Sequence, residues 1–207
     1  MFISHKHNFV FIHVPKTAGS SIHVALKDFY ELKGVQRADP PPLIHHMGAK
    51  DLFNKYPECE GYFKFAFVRN PYERLLSGYS EFTQKVSGAE SHRANYPLDI
   101  FKYKDFSHFC VALESSEWIK DVHFRPQHEL LYDGDECLVD FIGRYENLQN
   151  DLSHICKTVG IHGIDLARSP KHRETRHAHW TAHYLPRTKR AIKECYARDF
   201  ELFGYGD

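Results

Sequence analysis

The apolar positions of this chain fall in short runs separated by polar stretches, and the runs carry two different periods. Phe9-Val10-Phe11-Ile12-His13-Val14 is mostly apolar and dominated by aromatic and branched side chains, which predicts a strand covered on both faces in a parallel sheet. Pro15 ends it. After the turn Thr17-Ala18-Gly19-Ser20-Ser21, the residues Ile22, Ala25, Leu26, Phe29 and Leu32 recur at helical spacing and predict a helix of about three turns packed on that sheet. Gly34 to Pro42 ends in three consecutive prolines and reads as a connecting loop. Ala49, Leu52, Phe53 and Tyr56 then predict a helix within Met47 to Tyr56, with His45 and His46 where the loop enters it.

Phe63 to Val68 predicts a second, strongly aromatic strand, and Pro71 suits the first turn of the helix that follows it. Arg74, Ser77 and Tyr79 fall on or beside the first two turns, with Leu75, Leu76 and Phe82 available for packing. Val86 to Tyr103 is polar and reads as a surface excursion, and Phe106 to Leu113 as a short helix. Leu138 to Gly143 predicts a third strand, followed by a helix with Leu148, Leu152, Ile155 and Cys156 inward. Ser169 to Ala182 is basic and rich in His, without apolar period. Pro186 opens a last helix striped by Ile192, Tyr196 and Phe200, with Phe203 near its end. Repeated strand, turn and helix predict an α/β fold in three layers around a central, mostly parallel sheet, with ligands at the carboxyl ends of the strands. No internal repeat or linker divides the chain, so residues 1–207 read as a single domain.

Composition narrows the function classes. Lys plus Arg and Asp plus Glu both number 27, which removes any whole-protein attraction to nucleic acid or an acidic membrane while leaving room for a local basic pocket. The 16 His make the surface appreciably more positive near their ordinary pKa. Five Cys at 59, 110, 137, 156 and 195 form no Cys-x-x-Cys motif and fit a reducing compartment better than a disulfide framework. Met1 to Asn8 is polar, and Phe9 to Val14 is far shorter than a membrane span or a usual signal sequence, so cytoplasmic residence is the default expectation.

The chemistry concentrates in two strand-to-helix turns. In Pro15-Lys16-Thr17-Ala18-Gly19-Ser20-Ser21, small residues let backbone amides approach a tetrahedral anion, the helix amino terminus favours its charge, Lys16 adds a cation, and Thr17, Ser20 and Ser21 add hydroxyls. Lys16 precedes the single Gly19, which departs from the Gly-x-x-x-x-Gly-Lys-Ser/Thr of an ATPase P-loop, and no Gly-x-Gly-x-x-Gly is present. Arg69 ends the second strand and Ser77 lies two turns into the next helix, a pairing that suits a second phosphate group. Arg74 between them ranks well below these two as a ligand, since it could instead be a helix-surface or salt-bridge residue.

His13-Val14-Pro15-Lys16-Thr17-Ala18-Gly19-Ser20-Ser21 and Phe65 to Tyr79, containing Arg69-Asn70-Pro71-Tyr72-Glu73-Arg74-Leu75-Leu76-Ser77, resemble the two nucleotide signatures of the Golgi-type carbohydrate sulfotransferases and their bacterial relatives. Phe124-Arg125-Pro126-Gln127, Asp140 to Leu148 and the closing Tyr196 to Tyr205 resemble further segments of that family, in the family's order. The resemblance implies a P-loop-like fold and 3'-phosphoadenylyl sulfate (PAPS) as donor. Lys16, Thr17, Ala18, Gly19, Ser20 and Ser21 would then hold the 5'-phosphosulfate, and Arg69 and Ser77 the 3'-phosphate. Arg173 is a further donor candidate, although Ser169 to Arg176 departs from the family's text and a solvated basic turn is an equal reading. The implied reaction is sulfuryl transfer to a hydroxyl of a glycan or other small acceptor, without a metal or covalent protein intermediate. Lys16 would stabilise the departing bridge oxygen. His46, with His45 as the alternative, would take the alcohol proton. Arg125 and Gln127 would contact the acceptor, or fix their own loop by backbone hydrogen bonds. Glu146 reads as structural, a cap or an Arg partner. Two other classes stay open on residues alone: a small nucleotide or metabolite kinase with a divergent P-loop, and a non-catalytic nucleotide-binding protein.

Overall fold

A computed structural model describes residues 1–33, 46–83, 98–164, 166 and 180–206. In chain order its strands and helices are β1 (Phe2–Ser4), β2 (Phe9–Ile12), α1 (Gly19–Leu26), β3 (Leu32–Lys33), α2 (Ala49–Lys55), β4 (Phe63–Val68), α3 (Pro71–Thr83), α4 (Phe106–Ala112), α5 (His128–Leu131), β5 (Tyr132–Asp133), β6 (Glu136–Cys137), β7 (Phe141–Arg144), α6 (Leu148–Thr158), α7 (Pro186–Cys195) and α8 (Ala197–Leu202). They divide into two compact units, Met1–Arg69 with Gln127–Glu174, and Asn70–Pro126 with Thr175–Asp207.

The first unit is built on a five-stranded sheet of order β3-β1-β2-β4-β7. β2, β4 and β7 run parallel, β1 runs against β2, and β3 runs against β1, so β1 alone opposes the direction of the other four strands. The register sets Phe9 beside Phe63 and Phe11 beside Phe65. Because side chains alternate across a strand, Phe9, Phe11, Phe65 and Phe67 share one face, where they pack with Ile22 and Leu26 of α1 and Leu148, Leu152, Ile155 and Cys156 of α6. Val10, Ile12, Ala66 and Val68 on the opposite face are equally buried. That two-faced burial is what the continuous apolar runs predict.

Three expectations shift. β1 pairs antiparallel with β2 through a turn at His5 to Asn8, in which Asn8 takes a left-handed φ of 51°. The first helix stops at Leu26 instead of continuing through Leu32, because Tyr30 stacks on Phe2 at 4.3 Å and the Glu31 amide donates to the Ile3 carbonyl, turning the chain back as the edge strand β3. The third strand of the sheet is Phe141–Arg144, not Leu138 to Gly143, and β5 and β6 form a separate hairpin around Gly134, whose φ is 60°.

The second unit has its own core, in which Tyr72, Leu75 and Phe82 of α3 meet Phe109 and Cys110 of α4, Trp118, Phe124, Ile192 of α7, Tyr196 and Phe200 of α8. The closing segment is two helices, not one. Tyr196 breaks the run because its buried hydroxyl donates to the Phe124 carbonyl while its backbone sits at φ −112° and ψ 25°. No helix among the described residues is long and apolar enough to cross a membrane.

Candidate functional site

In the first unit, β2 hands the chain to α1 through a turn of unusual conformation. Lys16 (φ 70°) and Ala18 (φ 67°) are left-handed, while Thr17 between them is not. Each left-handed L-residue costs roughly 1–2 kcal/mol, so the turn is held against its own preference. Alternation of this kind turns successive amides toward one side and forms a concave nest for an anion. The first amides of α1, from Gly19 and Ser20, have no intrahelical acceptor by helix geometry and extend that nest.

The side chains of the turn divide by role. Thr17 is wholly buried and its hydroxyl donates to the Val14 carbonyl at 2.8 Å, which closes the turn inward; its hydroxyl does not supply the outward donor expected of it. Ser20 is exposed and Ser21 buried, with Lys16 and Ala18 between these extremes. Gly19 is required for space. A Cβ there would lie 1.8 Å from Nε2 of His13, whose ring covers the start of the helix.

His13 also organises His46. Nδ1 of His46 donates to the His13 carbonyl at 3.2 Å, and the two rings lie 4.6 Å apart between centroids. A carbonyl can only accept, so this bond places the proton on Nδ1 and makes Nε2 the basic nitrogen of the neutral ring. Gly48, just beyond, approaches the Leu130 carbonyl closely enough that an added Cβ would sit at 3.5 Å, which seats the His46 segment against α5.

Arg69 follows β4 and is 8% exposed. Its guanidinium carbon lies 3.9 Å above the Tyr145 ring, and Nη1 donates to the Lys16 carbonyl through a long contact of 3.4 Å. Tyr145 is set by a 3-10 turn, Tyr145–Asn147, that Asp151 clasps by accepting from the Arg144 amide and the Asn147 side chain, both at 2.7 Å. Gln127 is 0% exposed, and its side-chain amide grips the Arg69 backbone twice: Oε1 accepts from the Arg69 amide at 3.0 Å and Nε2 donates to the Arg69 carbonyl at 2.9 Å. These bonds hold the backbone of a different segment, at the end of β4, and not that of its own loop. Glu146 is exposed on the same 3-10 turn.

In the second unit, Ser77 is buried on α3. Arg74, 1% exposed, donates from Nη1 to the Arg125 carbonyl at 2.9 Å and from Nη2 to the Val122 carbonyl at 3.3 Å, so it ties down the Asp121-to-Pro126 loop. Burial pulls its pKa down, opposed by the nearby Tyr196 and Asp199. Arg125 is half-buried in that loop, its amide donating to the Asp121 carbonyl at 2.7 Å. His45 and Arg173 lie outside the described residues.

The structure therefore gathers the Lys16-to-Ser21 turn, Arg69, Gln127 and His46 within the first unit. It adds two residues that sequence reasoning gave no role: His13, which roofs Gly19 and orients His46, and Tyr145, the platform for Arg69. Both stand inside family-like motifs, which is the signal that marked their neighbourhood.

The profile of the Sulfotransferase family matches residues 1–206. Carbohydrate sulfotransferase 14 of Danio rerio is 30% identical over 250 residues, covering 99% of this chain and 62% of that protein. Carbohydrate sulfotransferase 11 of Rattus norvegicus and carbohydrate sulfotransferase 10 of Homo sapiens are each 24% identical, covering 99% of this chain and 66% of their own length. The chain thus spans a little under two thirds of the length of these relatives. No solved structure matches it. The family profile runs through both units and through every motif described above, and the chain belongs to the Sulfotransferase family.

Proposed function

We propose that this chain is an O-sulfotransferase that moves a sulfuryl group from PAPS to a hydroxyl of a carbohydrate or another hydroxylated acceptor by in-line transfer, on a three-layer, P-loop-like framework. The observation that carries this reading is the left-handed turn at Lys16 and Ala18, opening onto the amides of α1 beside the buried Arg69 guanidinium. Strain of this kind persists where surrounding structure enforces it, and an amide nest next to two cations is built for a phosphate-like group. The family membership and the relatives' names support sulfuryl over phosphoryl chemistry.

The donor supplies an activated sulfuryl group and departs as 3'-phosphoadenosine 5'-phosphate. The chain's own residues bind, orient and move a proton. The amides of Gly19 and Ser20, with the exposed Ser20 hydroxyl, hold the 5' anion, and Lys16 balances charge on the leaving bridge oxygen. His46 Nε2 takes the acceptor hydroxyl's proton as the new O–S bond forms and the S–O bond to the leaving phosphate breaks. The His13 carbonyl on Nδ1 keeps the imidazole in the tautomer that this step needs. Arg69 serves the 3'-phosphate. Donor contact by Ser77 and acceptor contact by Arg125 are carried by likeness to the family alone.

Calorimetry comparing PAPS with ATP and Mg²⁺, followed by transfer of radiolabelled sulfate to an acceptor panel, tests the reading. PAPS binding in preference to ATP is the expected result, and a preference for ATP with Mg²⁺ would overturn it in favour of a kinase. Lys16→Ala and His46→Asn should each retain the fold and lower turnover, the latter by about 10²–10⁴-fold if His46 is the base.

A further inference from the structure

We infer that Gln127 is a positioning residue for the donor turn, acting through Arg69 on the backbone of Lys16. The inference rests on the reading of that turn as the donor grip. Three contacts in the first unit form one series: Gln127 holds both the amide and the carbonyl of Arg69, Arg69 lies flat on Tyr145, and Nη1 of Arg69 donates to the carbonyl of Lys16. Gln127 is fully buried and Arg69 nearly so.

The chemistry of each link fixes what it does. Arg69 ends a strand at the sheet's carboxyl edge, where its peptide groups leave the ladder and need other partners. A primary amide offers one acceptor and two donors in a plane, so Gln127 substitutes for a neighbouring strand at this one residue. With its backbone fixed at both polar atoms and its guanidinium resting on a ring, Arg69 reaches Lys16 from a constant direction. Lys16 is one of the two left-handed residues of the turn, and its carbonyl is the atom Arg69 holds. Arg69 therefore braces the strained turn, independently of any phosphate it binds. Loss of Gln127 would let Arg69 swing and leave the turn free to relax toward ordinary φ values, dispersing the amides that face the anion.

The test uses the full chain, two ligands and one variant. Gln127→Met keeps the volume and unbranched shape and removes both hydrogen bonds. Calorimetry measures Kd and the binding-competent fraction for 3'-phosphoadenosine 5'-phosphate and for adenosine 5'-phosphosulfate, which lacks the 3'-phosphate. The expected result is a Kd about tenfold or more weaker for both ligands at unchanged competent fraction. A merely destabilising role would lower the competent fraction and leave Kd alone, and that outcome overturns the inference. Weakening confined to the ligand with the 3'-phosphate also overturns it, since Arg69 would then act only as a ligand to that group. If the wild-type chain binds neither ligand, the donor reading itself fails, which is a separate result. Should Gln127→Met not fold, Gln127→Glu keeps the acceptor for the Arg69 amide and removes the donor to its carbonyl, and the same two-ligand comparison applies.

Discussion

Substituting Gly19 by alanine tests how tightly the Lys16-to-Ser21 turn is built. The new methyl would start 1.8 Å from Nε2, 2.1 Å from Cδ2 and 2.6 Å from Cε1 of the His13 ring, where ordinary contact begins near 3.4 Å. The ring must therefore shift by well over an ångström. It is not free to do so without loss, because it stacks on Phe11 at 5.7 Å and lies 4.6 Å from the His46 ring. Overpacking of this kind costs about 1–3 kcal/mol. Alanine's better helix propensity at the first residue of α1 returns up to about 1 kcal/mol. With about 2 kcal/mol for the overpacking and about 0.5 kcal/mol returned, the balance is a destabilisation of about 1.5 kcal/mol, or a melting temperature about 3–6 °C lower for a chain of this size. The same displacement presses the His13 ring on the His46 ring packed beside it, so turnover should fall as well. Differential scanning calorimetry on Gly19→Ala, His13→Ala and the double variant forms a cycle whose coupling is about 1–3 kcal/mol, with Gly19→Ala becoming neutral or stabilising once His13 is truncated. A Gly19→Ala protein that melts at the wild-type temperature, or equal costs in both backgrounds, would refute the steric account.

Other expectations follow from groups held out of water. Arg74→Met leaves the carbonyls of Arg125 and Val122 without their donor and the buried Asp199 carboxylate without its neighbouring cation; it should cost about 3–5 kcal/mol in denaturant unfolding, and an unchanged midpoint would show that Arg74 braces nothing. Burial, and then Asp28, push the Tyr30 hydroxyl up to about 12, while burial holds Tyr184 and Tyr196 well above the usual tyrosine value of 10.0. A raised folded-state pKa means that stability is complete below pH 10 and is lost as pH climbs through the folded value. Absorbance at 295 nm should therefore show these phenols ionising only as the protein unfolds between about pH 10 and 12, and reversible titration of every tyrosine near 10 would contradict it. Cys156, pushed up to about 11 by burial, and Cys110, raised still further, should resist a thiol reagent at pH 8 that modifies the exposed Cys137; mass spectrometry of the labelled native protein reads the order directly.

The parts of the fold that were legible in the sequence were those where one period ran long enough to exclude the other. Phe63 to Val68 and the Leu148, Leu152, Ile155, Cys156 stripe are examples. β1 was hidden because three residues carry no period, although the polar cluster His5 to Asn8 has the look of a turn. The β5–β6 hairpin was marked by its two-residue loop, Gly134-Asp135, and could have been read from that pair. Leu32 completed a helical pattern by coincidence; Tyr30 stacking on Phe2 decided its fate, and no local signal reports a ring contact with the amino-terminal strand β1. At the site, residue types named the chemistry and geometry assigned the jobs. An amide at position 127 reads the same in sequence whether it greets a ligand or grips a backbone. A left-handed Ala18 runs against local propensity, which is where local rules are expected to fail if a turn is shaped for binding.

The grip of Gln127 on Arg69 joins residues 58 positions apart. Closing a loop of that length costs about 3–4 kcal/mol of chain entropy, while two buried hydrogen bonds return about 1 kcal/mol each. The clasp cannot nucleate anything. It closes once β2, β4 and β7 have aligned and α5 has docked, so it belongs to the native side of the folding barrier. Substitutions at Gln127 will hasten unfolding far more than they slow folding.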